Sequence, residues 1–351
     1  MMYIREILPP RDSLVEKGNA VQGTWDKAFK EVDLLGIRRP FNWPLPRWLR
    51  ALRIKEWESF CIQDDRVFID IIIGNFKLCC FAQVLVYVKD KGEKYIYRKL
   101  LPGNKAWQMS QGLGNTSVSG RLQQFLFYIH NWLDGDTIKL AINVDESQRR
   151  AWLGTNLEFN MGKSNAAPMA VSFGFSEKRG MYAYKAMSSV QGVVVLGPRP
   201  ISLDPNRAIG IFCDYKGYFP YLMKETFCCA MGYTKEGQKY GFHIGENQIR
   251  ENYRNNENVL WIDGKMCPLP PVRITMSKGA DAEWIIQDIE GMVDLEFTPK
   301  EPNNYSASFL LAGAELNSPL GYYNGMLLDS EGSKIIVRNL YGIGHNLYLR
   351  L

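Results

Sequence analysis

From residue 66 onwards the chain is a succession of short β-branched and aromatic runs broken by turns, and this pattern leaves few folds open. Residues 66–73 (RVFIDIII) and 76–88 are apolar runs, with Asp70 the odd polar member of the first. A polar connection, Lys89-Asp-Lys-Gly-Glu93, leads into 94–98, which is a hairpin signature. Residues 136–144 (DTIKLAINV), 156–161 and 170–175 alternate at period two, and 190–196 is β-branched. Further strand-like segments cover 208–213, 240–244, 258–262, 272–276, 283–288, 293–297, 321–328 and 334–339. Helical stretches are few and short, and the best of them is 122–132.

More than a dozen short strands with frequent turns make the chain all-β. That total exceeds one small barrel. The expected architecture is two antiparallel barrels or sandwiches packed together, with few short helices. Residues 1–55 read as an irregular segment, interrupted by Pro9, Pro10, Pro40, Pro44 and Pro46, that packs on the barrels through Trp25, Phe41, Trp43 and Trp48. The Gly197-Pro-Arg-Pro200 turn divides the rest into a first β domain, 56–197, and a second, 198–351.

Composition narrows the function classes. Hydrophobic residues are 46% of the 351, enough for a full core, and the net charge is only +5. The basic clusters (Arg38-Arg39, Arg47 to Lys55, Arg149-Arg150) are short, whereas nucleic acid calls for a concentrated basic stripe. No nucleic-acid partner is expected. No apolar run is long enough to span a bilayer, and the N-terminus carries no secretory h-region. Seven cysteines, including the adjacent pairs Cys79-Cys80 and Cys228-Cys229, read as free thiols of a cytoplasmic protein. The G-x-S-x-G, P-loop, H-E-x-x-H and dinucleotide-binding patterns are missing, so no cofactor or metal is called for.

Residues 203–274 hold the candidate site, because acidic, amide and aromatic residues interrupt its strands. Asp214 follows the apolar 208–213 run; at the mouth of an apolar cavity, desolvation raises a carboxyl's pKa and fits it to act as a general acid. Glu257-Asn258 precede a strand and can either meet a ligand or satisfy backbone groups. His243 and His345 are candidate proton shuttles or structural histidines, and His130 reads as structural. Lys185 and Lys216 can pair with an anionic ligand group or extend to solvent, and Trp261 can line the cavity or plug the core. The catalytic candidates are therefore Asp214, His243 and Glu257. The ligand-binding candidates are Tyr215, Lys216, Tyr221, Lys185, Asn258, Trp261 and His345.

A chain-long series of short motifs carries a family resemblance. It comprises Lys55-Glu56-Trp57-Glu58, Tyr184-Lys185 with Gly192, Asp214-Tyr215-Lys216-Gly217 with Pro220-Tyr221, Gly241-Phe242-His243-Ile244-Gly245, Glu257-Asn258, Asp263-Gly264-Lys265 and a closing hairpin over 321–350. In this the chain resembles a bacterial family of unknown function in the calycin group, related to the hydroxyneurosporene synthase-like and AttH-like proteins. The resemblance implies two lipocalin-like units and a hydrophobic or mixed cavity. It departs from the family pattern at His243, where Asn is usual, at His345, where an acid is usual, and at Leu351, where Trp closes the chain.

Three functions follow as expectations. The first is binding of a small lipophilic or amphipathic molecule in a β-barrel cavity, with cofactor-free acid–base chemistry as an extension. The second is a hydratase, isomerase or cyclase acting on an unsaturated, isoprenoid-like substrate. The third is carbohydrate binding or processing.

Overall fold

The computed structural model describes residues 3–350 apart from 123, 149, 164, 177, 247, 250, 278–281 and 309–312. Arg149 and Leu351 lie outside the described residues. The protein is almost all-β: two curled, half-barrel antiparallel sheets pack together, with one α-helix among the described residues, Arg47–Arg53.

The first sheet has thirteen strands among the described residues. Its main path runs Glu93–Pro102, Cys79–Val88, Val67–Asn75, Lys55–Gln63, Ile209–Gly217, Gly180–Leu196, Leu153–Asn160, Thr137–Val144, Phe125–Trp132 and Thr116–Leu122. The second sheet has eleven, centred on Lys239–Glu246, Leu222–Tyr233, Lys334–Arg350, Leu320–Leu328 and Val293–Glu301. Gly197-Pro-Arg-Pro200 is a tight hairpin inside the first sheet, joining Gly180–Leu196 to Arg199–Leu203. The chain changes sheets later, between Gly217 and Leu222.

The described residues of 122–132 are not helical. Phe125–Trp132 is a strand whose burial alternates, with Phe125, Phe127, Ile129 and Asn131 turned inward. The period is two, but Leu126, Tyr128 and Trp132 put apolar side chains on the outer positions and blur it. In the N-terminal segment Gly23–Trp25 pairs with Met169–Gly174 and Trp25 is buried. Phe41 meets Tyr218 edge-on, while Trp43 and Trp48 face solvent.

Alternation along each strand sorts the buried side chains into three cores. One fills the first sheet's concave face, with Phe60, Ile69, Tyr182, Tyr184 and Phe212. Another fills the second sheet, with Phe242, Trp284, Phe297 and Tyr323. The third lies between the sheets and includes Cys61, Met187, Ile211, Tyr215, Cys229, Trp261 and Ile343.

Gly192 sits where Gly180–Leu196 passes between Leu157 and Leu203, at φ +137°, and a Cβ there would lie 2.1 Å from the Asn156 carbonyl oxygen. Gly192→Ala is expected to cost about 1–3 kcal/mol, read as a lower urea midpoint with an unchanged slope. An unchanged midpoint would mean that the strand bends freely there.

Candidate functional site

A cavity of ≈ 120 Å³ opens between the two sheets. At a share of roughly 30 Å³ per water, that is room for about four water-sized groups. The first sheet contributes Trp57, Cys61, Asp70, Ile72, Ile211 and Cys213 to its walls, and the second contributes Glu225, Phe227, Cys229, His243, Ile343 and His345. Most of the lining is apolar. The cavity lies between the barrels, and packed cores fill the concave side of each sheet. Leu78, 47% exposed, marks its outer end, and the buried Asp70, His243 and His345 its inner one.

Strand parity decides which of the expected residues belong here. On Ile209–Gly217, Ile211, Cys213 and Tyr215 face the second sheet, whereas Phe212, Asp214 and Lys216 take the opposite face. Asp214 therefore turns away from the cavity, into the interior of the first barrel. There Lys216 donates to both of its oxygens. Glu58 stands opposite Asp214 on Lys55–Gln63, and Glu56 opposite Lys216. Glu58 accepts from Asn131 (2.9 Å) and Ser110 (3.2 Å). Burial, then the charge of Asp214, pushes the Glu58 carboxyl up.

Lys185, Tyr215, His243 and Glu257 do come together. Lys185 Nζ lies 2.6 Å from Glu257 Oε2, donates to the Glu257 carbonyl (3.1 Å), and donates to His243 Nδ1 at 2.8 Å. Tyr215 donates to the same carboxylate at 3.0 Å. An ammonium has no acceptor, so His243 Nδ1 receives and its Nε2 carries the ring proton. Burial, then Lys185 and His345, holds the His243 imidazole well below its usual range, hence neutral.

Other expected contacts serve the scaffold. Asn258 accepts from the Gly245 N–H (2.8 Å) and donates to the Pro270 carbonyl (2.9 Å). Trp261 is buried in the inter-sheet core and donates to the Ala167 carbonyl at 2.7 Å. Tyr221 lies in the exposed connection between the sheets. His130 is on the strand Phe125–Trp132, hydrogen-bonded to Asn115 at 3.0 Å.

His345 lines the cavity on the other side of Phe227. The Phe227 ring stacks between His345 (4.3 Å) and His243 (4.9 Å). Ser318 meets His345 Nδ1 at 2.8 Å, and Asp70 Oδ1 stands 3.9 Å from its Nε2. Burial lowers His345 to about 3, so it too is neutral.

Residues 4–350 match the family model described as "Domain of unknown function (DUF2804)". The chain belongs to the DUF2804 family. No curated protein matches it. Among solved structures, CghA is 11% identical with a TM-score of 0.52, over 100% of this chain and 97% of that one. Kievitone hydratase from Nectria haematococca is 11% identical (TM-score 0.43, 84% and 88% covered). A putative AttH from Nitrosomonas europaea is 10% identical (TM-score 0.46, 86% and 93% covered). The likeness to CghA shows that this DUF2804 chain has the tandem lipocalin-like fold.

Two cavity acids of the DUF2804 chain are missing from the expected site. Glu225 sits on Leu222–Tyr233 in register with the apolar Met223, Phe227 and Cys229, all turned to the cavity. Burial, then its neighbour Glu257, raises the Glu225 carboxyl well above the ordinary range, so it is protonated. Asp70 accepts from Gln83 (3.3 Å), which accepts from Arg98 (2.6 Å). Burial still lifts Asp70 from 3.8 to about 7. Asp70 carried a local signal, a lone acid in an apolar strand, whereas Glu225 sits between Lys224 and Thr226 and carried none. Among the described residues no group of three or more His, Cys, Asp or Glu is placed to hold a metal ion.

The raised Asp70 makes stability depend on pH. The folded state holds a proton that the unfolded chain releases above about pH 4, so this group's contribution is complete below that and is lost as pH rises to about 7. Asp70→Asn is expected to flatten that fall, by on the order of 4 kcal/mol. Urea unfolding of both proteins at pH 4.5 and 7.5 checks it; parallel behaviour would place the Asp70 titration elsewhere.

Proposed function

We propose that the chain binds a small lipophilic or amphipathic molecule between its two sheets and works on it by acid–base chemistry of its own side chains. The observation that carries this is Glu225, a protonated carboxyl facing a largely apolar cavity. In such surroundings a carboxyl keeps its proton at neutral pH and has it available for a carbon–carbon double bond or a leaving oxygen. His345, neutral and on the same wall, is the matching acceptor. Pairs of groups whose surroundings drive their pKa values apart are the mark of acid–base sites.

Donor and acceptor in a dry pocket favour hydration, isomerisation or cyclisation of an unsaturated substrate as the reaction class. Proton transfer from Glu225 to a carbon–carbon double bond would leave a carbocation facing Phe227 and Trp57 and Glu225 as its carboxylate. Loss of a proton to His345, from the cation itself or from a water it has captured, would give the product, and that proton returned to Glu225 would complete the turnover. Glu257, the acceptor of Lys185 and Tyr215, stands beside Glu225, and its charge favours return of the proton to Glu225 after each turnover. A sugar ligand is disfavoured, since apolar walls leave its hydroxyls without partners.

Native mass spectrometry of protein purified from its own host tests the reading. A co-purified acyl or isoprenoid compound is expected. A bound sugar would overturn it.

A further inference from the structure

Residues 38–53, RRPFNWPLPRWLRALR, are a basic segment that the cavity chemistry leaves unused. They hold five arginines and no acid, a charge equal to the +5 of the whole chain, so the remaining residues sum to zero. The segment also carries the two most exposed tryptophans, Trp43 (73%) and Trp48 (65%). A tryptophan gives up a large hydrophobic contribution when left in water, and two within six positions are out of keeping with a chain whose core is otherwise filled.

We infer that this segment docks on an anionic lipid surface. Charge and side-chain type both select that partner. Indole rings settle at the headgroup level of a bilayer, and clustered arginines are drawn to its negative surface. The helix Arg47–Arg53 buries no residue against the protein, so its face is available. Arg50 and Arg53 anchor the segment from below: Arg50 donates to the Leu35 (3.1 Å) and Ile37 (2.6 Å) carbonyls, and Arg53 to Phe219 (3.3 Å). That leaves Arg38 and Arg39 exposed, and Arg47 with only a solvent-facing contact to Asp33 at 3.7 Å.

The docking face adjoins the cavity's outer end. Lys55, just past the helix, donates to the Leu52 carbonyl (3.1 Å) and the Phe76 carbonyl (2.5 Å). Phe76 and Trp57 stack on each other and both line the cavity. Two residues beyond Phe76 is Leu78, the exposed cavity residue; Tyr221 and Leu222 are exposed beside Met223, another lining residue. A lipid surface held there would present lipophilic molecules to the opening without their crossing water. The lipid contact stands on the charge and the tryptophans; its role in delivery rests on the proposed ligand class.

Sedimentation of the full chain with vesicles tests it. Binding is expected to vesicles of phosphatidylcholine with phosphatidylserine, to fall steeply with added salt, and to be absent on phosphatidylcholine alone. Replacing Arg38, Arg39 and Arg47 by Gln is expected to weaken it on the order of 100-fold, and Trp43→Ala with Trp48→Ala about tenfold. All five side chains are exposed, so the melting temperature of the variants should hold and reports on folding. Equal binding by wild type and variants, or no binding to either vesicle, overturns the inference. Tighter binding of duplex DNA or RNA than of anionic vesicles, lost in the same variants, reassigns the face to nucleic acid. Glu225→Gln separates the two readings: vesicle binding should be unchanged by it whatever happens to the chemistry.

Discussion

Glu225→Gln is expected to slow conversion of the ligand recovered from the cavity by two to four orders of magnitude while leaving its binding within a few-fold. The amide keeps the size and neutrality of the protonated acid, so the cavity keeps its shape. It cannot release a proton, so chemistry that starts with protonation stops. Single-turnover assays with product detection, set beside native mass spectrometry for occupancy, separate the two quantities. Unchanged turnover would remove Glu225 from the mechanism. Lost occupancy with unchanged chemistry on what binds would make it a binding group. Asp214→Asn is the contrast: its side chain is on the far face of its strand, so turnover should stay within a few-fold. The same change leaves the buried Lys216 with a weaker partner, and stability should fall.

Lys185→Met is expected to be the most damaging single change to stability, about 3–5 kcal/mol. Both partners of the Lys185–Glu257 pair are buried. Removing the cation strands the Glu257 carboxylate beside Glu225 and takes away the donor to His243. Adding Glu257→Gln to the same protein is expected to restore most of the loss, because the orphaned charge is then gone. Urea unfolding of the two single variants and the double one measures the coupling. A double variant no more stable than Lys185→Met would show that packing, not charge, is what Lys185 supplies.

Much of the fold was legible because the strands announce themselves locally. Runs such as Val67–Asn75 and Cys79–Val88 are β-branched, and the polar connection between Val88 and Glu93 closes a hairpin at its expected place. Phe125–Trp132 was obscured because its outward positions carry Leu126, Tyr128 and Trp132. The site was legible in part. His243, Lys185, Tyr215 and Glu257 do converge, although they lie on separate segments. Asp214 was misplaced because adjacency in sequence to Tyr215 is opposition in space on a strand. Glu225 was passed over because its significance depends on which face of Leu222–Tyr233 meets the first sheet, a long-range fact that no local window contains.

The position of the cavity separates two kinds of design problem. In a single closed barrel the same side chains close the sheet and shape the pocket, so every change of specificity risks the scaffold. Here each half keeps its own packed interior, and the cavity is the seam where they meet. Apolar substitutions along that seam reshape the cavity without entering the packed interior of either half.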